Sequence, residues 1–282
     1  MRHFVLLILF LINSGLALGQ PGNCASMVHE ALELSGFSHD IEIQGANISS
    51  PDIVQAVITS WHLPPNSSTV VQQALRKGVD PAPVKAVLEP LLVVRCKPEL
   101  MQQVLQQLRL PLVARMTRLE NGVKSPEGQT ELVQYLKMHP QEMAGLPRLA
   151  ALQALDRSLG MADFAAKRNL AVQSGMADGL GIRGAKNIKA TYVSSWAKSQ
   201  IGGSALAVLL YTYRSVDDKD LKEYVRILTS EPMKGFYAMV MESMLVVNEQ
   251  RGRIVGEEIR NNLPPGSISP AAISLGAAGK KR

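Results

Sequence analysis

Gly179, Gly181 and Gly184 reproduce the GxGxxG spacing that brings a dinucleotide pyrophosphate against a helix N-terminus. That chemistry needs a strand before the glycines and an acid about twenty residues later to hold a ribose. Neither is legible, and Ala185 stands where a P-loop lysine belongs. The glycines, with Gly175, read instead as a flexible joint. His29 and Glu30 begin an HExxH zinc helix, but Glu33 occupies the second histidine position. His39, His62 and His139 have no partner at i, i+4. Ser204 follows two glycines without the rest of a nucleophile elbow. Glu257 and Glu258 read as a solvated face, although acids that cleave glycans meet in space rather than in sequence. No catalytic residue, metal ligand or cofactor follows from these patterns.

One cationic cluster falls inside the folded region. Lys186, Lys189 and Lys198, with Arg168 and Arg183 nearby, are interleaved with Tyr192 and Trp196. Helical spacing allows a charged outer face over a buried aromatic stripe. It also allows contact with anionic lipid headgroups or another acidic envelope component, with Arg183, Lys186, Lys189 and Lys198 as the binding residues. General affinity for nucleic acid is not supported. The formal charge is +6, of which Arg2 supplies one and Lys280, Lys281 and Arg282 supply three, so no concentrated basic footprint remains.

Residues 1–19 have the form of a secretory signal: Arg2, an apolar run from Phe4 to Ile12, then Ala17, Leu18 and Gly19 before Gln20. The run is shorter than the roughly 20 residues that cross a bilayer. No other stretch is long enough, so no transmembrane span is expected after cleavage. Export makes a bond between Cys24 and Cys96, the two cysteines of the chain, the expected state. Pro21, Gly22 and Asn23 do not form the approach to a lipoprotein cysteine.

Positioning these residues falls to helices. Aromatics are sparse at 5%, and long alternating Val/Ile/Thr runs are missing, which predicts an all-α helical bundle. The best-marked pair runs from Val216 to Val247. Leu221, Tyr224, Val225 and Leu228 share one face, Ser230, Glu231 and Pro232 form a joint, and Met233, Phe236, Tyr237, Val240, Met241, Met244 and Leu245 continue the rhythm. Gly235 reads as a place where another backbone comes close. A similar joint occurs at Ser125, Pro126, Glu127, Gly128 and Gln129. Two related helical-hairpin halves are therefore expected, 24–140 and 148–263, followed by a disordered basic tail at 264–282.

The leader, Leu32 to Gly36, and the Asp220–Glu223 helix running into Ser230, Pro232 and Gly235 together resemble an exported bacterial family catalogued only as a domain of unknown function. In that family the joint commonly reads Ser-Pro-Thr-Gly-Gln. Ser125 to Gln129 matches it well, whereas Ser230 to Gly235 has Glu231 before the proline and an altered spacing. The resemblance implies a helical fold and an envelope location, and brings neither a catalytic residue nor a substrate. The expectation is a periplasmic or secreted, non-enzymatic protein that binds an envelope component or self-associates. The alternatives are an envelope-polymer hydrolase and a carrier of an apolar ligand.

Overall fold

A computed structural model of the chain describes residues 21–47, 50–138, 145–182 and 206–268. The leader, Arg183, Lys186, Lys189 and Lys198 with their aromatic neighbours, and the tail from residue 269 lie outside the described residues. Within them the protein is all-α, as its composition predicts. Its helices are α1 (Pro21–Leu34), α2 (Phe37–Asn47), α3 (Pro51–Ser60), α4 (Ser68–Gly78), α5 (Pro81–Arg95), α6 (Pro98–Leu108), α7 (Pro111–Lys124), α8 (Pro126–Leu136), α9 (Leu146–Leu159), α10 (Met161–Gly179), α11 (Asp218–Leu228) and α12 (Glu231–Asn262), with a further helical stretch at 206–212.

Most boundaries have a local cause. Pro51, Pro81, Pro98, Pro111, Pro126 and Pro232 each sit in a first turn, where the missing N–H costs nothing and the fixed φ helps. Pro111 thus divides one long amphipathic pattern into α6 and α7. Asp80 caps α5 by accepting from the Ala82 N–H, and Asp217 caps α11 by accepting from Asp220. Gly160 closes α9 at φ 65°, a left-handed conformation that glycine adopts without strain. Beyond Gly36 the chain forms α2, whose Phe37 ring packs against Phe236 and Tyr237.

Helix α12, 32 residues and about 48 Å long, joins two apolar clusters. Met233, Phe236, Val240, Met244 and Val247 enter the larger one, with α1, α5, α6, α7, α9 and α11. Val255 and Ile259 enter the second, with Val54, Ile58, Val71 and Leu75 from α3 and α4 and with Met176 and Leu180 at the end of α10. Ile268 also packs there, so the tail folds back over its first residues, through a turn at Gly266, rather than leaving the body at 264.

The glycines are placed differently from their reading as a joint. Gly175 and Gly179 lie inside α10, against Gly252 and Gly256 of α12. A Cβ on Gly252 would overlap the Val172 carbonyl, and one on Gly256 would overlap that of Met176. Gly175 and Gly179 stand in the same relation to the carbonyls of Glu249 and Arg253. Contacts advance together along both helices, so α10 and α12 run parallel with their backbones touching. At Gly235, by contrast, an added Cβ would meet only the Leu100 side chain at ordinary distance, 3.6 Å. The close approach predicted there occurs about five to six turns further along α12, at Gly252 and Gly256.

The two Ser-Pro joints share a backbone turn: Ser125 has φ −65°, ψ 157°, and Ser230 φ −65°, ψ 151°. Their surroundings diverge. The Ser125 hydroxyl accepts from the Gly128 N–H, Gln129 donates to the Val123 carbonyl, and Gly128 has no Cβ to strike Gly122, so α8 starts directly against α7. Ser230 makes no such cap and donates to Gln107 on α6 instead. Helix α8 has 11 residues where α12 has 32. Helix α11 packs chiefly on α9 rather than back on α12. The likeness of the halves therefore rests on the joint itself.

Candidate functional site

The densest chemistry in the described interior is centred on Glu120, in the last turns of α7. One carboxylate oxygen, Oε1, accepts from two phenols, Tyr213 Oη and Tyr224 Oη, each at 2.6 Å. Tyr224 comes from the buried face of α11, and Tyr213 from the turn after the 206–212 helix; their rings lie 5.8 Å apart. One turn further along α7, Lys124 pairs with Asp40 of α2. Amphipathic spacing brings the set together: the face that sends Met116 and Val123 into the core carries Glu120 between them.

Burial raises the Glu120 carboxyl above its usual range; the two phenolic donors and Lys124 oppose that rise, and Asp40 adds to it. Burial, then the Glu120 charge, pushes both phenols well up. Tyr237 on α12 is raised by burial first, then by Glu120 and Asp40. An acid with a raised pKa can serve as a proton donor, but only where a substrate reaches it. Here the carboxylate faces two of the protein's own hydroxyls, carried on tyrosines that are almost fully buried. The arrangement is a polar clamp that joins α7 to α11.

A second set of buried charges lies along α10 and α12. Arg251, 7% exposed, donates through Nε to the Gly78 carbonyl at the end of α4, with Asn248 alongside. Burial lowers its pKa, and Arg168 on α10 lowers it further. Burial also lowers Arg168, against the pull of Asp40. Arg148 performs a related task at the surface, donating to the carbonyls of Tyr213 and Val216 and so holding the start of α9 to the turn before α11.

Cys24 and Cys96 are bonded, with Cα atoms 6.0 Å apart, tying α1 to the end of α5. His29 lies 3.3 Å from Glu89, and Glu258 pairs with Lys77. Among the described residues no three His, Cys, Asp or Glu side chains gather in a metal-sized group. Gly181 has φ 78° just beyond α10, and Gly179 is buried against α12, so those two glycines serve packing and helix termination. Sequence reading missed Glu120 because its partners lie 93 and 104 residues away. The nearest available signal was one acid on the apolar face of α7. No family model matches this chain, and no curated protein or solved structure matches it either.

Proposed function

We propose that this chain is an exported, non-enzymatic protein of the bacterial cell envelope, working by holding an envelope component, or a second copy of itself, on its surface. The observation that carries the proposal is the closed state of the polar cluster at the α7–α11 contact: Glu120, the carboxyl that burial raises, is engaged by two phenols of its own chain. A hydrolase needs such a group to face a cleft. A carrier needs vacant apolar volume between helices. Here Leu88, Leu92, Met101, Met116, Leu152 and Phe236 fill that space, each under 2% exposed.

Export is supported by the Cys24–Cys96 bond, because cytosolic thiols are kept reduced. The leader at 1–19 and the resemblance to an exported bacterial family point the same way, to a periplasmic or secreted protein. No helix among the described residues is long and apolar enough to cross a membrane. Lys186, Lys189, Lys198 and Arg183 supply the contact where the partner is anionic.

Capture from intact envelope tests this, using the wild-type chain beside a triple alanine variant at Lys186, Lys189 and Lys198. The expected result is reproducible recovery of one component or of a second copy. Loss of recovery in the variant assigns the contact to the cationic cluster, whereas equal recovery removes that cluster from the proposal. Turnover of an envelope polymer by the purified protein, or recovery of nothing above background, overturns the reading.

A further inference from the structure

Helices α1 and α6 run side by side in the same direction. The Cys24–Cys96 bond ties their beginnings, and Glu30 pairs with Arg109 at their ends, through two donors at 2.9 and 2.7 Å. Between them lies a groove of about 520 Å³. Its floor is Met27 and Leu105, 8% and 5% exposed. Its walls are amides and a hydroxyl: Asn23 and Ser26 on α1, Gln102 and Gln106 on α6. On both helices the lining follows i, i+3, i+4, i+7, so the groove runs along the helix pair rather than across it.

We infer that this groove binds a short extended stretch of uncharged polypeptide. The inference rests on the binding-protein reading above and names the chemistry of its partner. Each amide offers both a donor and an acceptor, the two groups that an extended backbone presents in alternation. Ser26 already donates to the Asn23 carbonyl, which leaves its oxygen free to accept. Glu30 and Arg109 cancel each other's charge, so the groove selects neither sign. Seven residues of helix span about 10 Å, the length of about three extended residues. Methionine in the floor adapts to varied apolar side chains. A sugar chain fits less well, because no aromatic ring lines the groove to stack on it. An amphipathic helix would need an apolar stripe several turns long, whereas the floor offers two side chains.

The test is a titration of the isotope-labelled protein, as recovered after export with its bond intact, followed by NMR. The probe is a pool of end-blocked tetrapeptides of Ala, Ser and Leu, with a neutral trisaccharide as the second arm. Expected are saturable shifts of the Asn23, Gln102 and Gln106 side-chain amides with the peptides. A Gln102→Ala, Gln106→Ala variant, altered only at exposed positions, should bind at least fivefold more weakly with its melting temperature unchanged. Silence toward the peptides, shifts with the trisaccharide instead, or equal binding by the variant each overturns the inference. If envelope capture succeeds while the peptides are silent, the groove is wrong and the wider function stands; if capture itself fails, the wider function falls.

Discussion

The most consequential single residue is Glu120, and its behaviour follows from what surrounds it. Its folded pKa lies above the unfolded value, so the native state holds this proton more tightly than the unfolded chain does. The sign follows: its contribution is best below the unfolded pKa, declines as pH rises through the folded pKa, and is flat beyond. Glu120→Gln keeps an acceptor for the phenols and removes the titration. Denaturant melts across pH 4–8 should therefore show wild type losing stability relative to this variant as pH rises. Glu120→Ala should cost about 1–3 kcal/mol for each phenol left without an acceptor. A parallel pH profile for wild type and Glu120→Gln would contradict the assignment. Arg251→Met should likewise cost about 1–3 kcal/mol in the same melts, because the buried Gly78 carbonyl loses its donor. None of these pairings could be read from the chain, because each joins residues far apart in sequence and depends on how helices cross.

At the scale of elements, the prolines of the two Ser-Pro joints and the apolar stripes of α11 and the first half of α12 were legible, because each is a local pattern. Helix α2 was not, since its polar residues mask a stripe that amounts to little beyond Phe37 and Ile41. The glycines of α10 were misread for a clearer reason: a run that looks flexible in isolation is rigid when a second small-residue stripe faces it. Glycine within a helix ordinarily loses about 1 kcal/mol against alanine, so alanine scanning separates the two cases. Gly252→Ala must push α10 away from α12, and we expect a net loss of about 1–3 kcal/mol or more from overpacking. Gly122→Ala, on α7 where an added Cβ would meet nothing within 4 Å, should gain about 0.5–1 kcal/mol. Equal gains at both positions in urea melts would mean that the seam does not exist.

On the scale of the whole molecule, one long helix joins two apolar clusters and one disulfide fastens α1 to the end of α5 at the larger of them. The bond closes 72 residues of chain, which by chain-entropy reasoning stabilises the fold by about 4 kcal/mol. Replacing both cysteines with serine should lower stability by roughly that amount while leaving the helical circular dichroism spectrum in place. The all-α class was legible because it depends on composition and periodicity. The surface proposed to hold a partner was not, because grooves such as that between α1 and α6 are made by two helices whose adjacency no local pattern states. The central claim is that this is a mature exported body that works by holding something. Native mass spectrometry of the protein released gently from the envelope tests it most directly. The account predicts a chain lacking its first 19 residues, lighter by the two hydrogens of one disulfide, and carrying a bound envelope component or a second copy. A chain that keeps its leader and both thiols, or a mature monomer that never carries a companion, would contradict it.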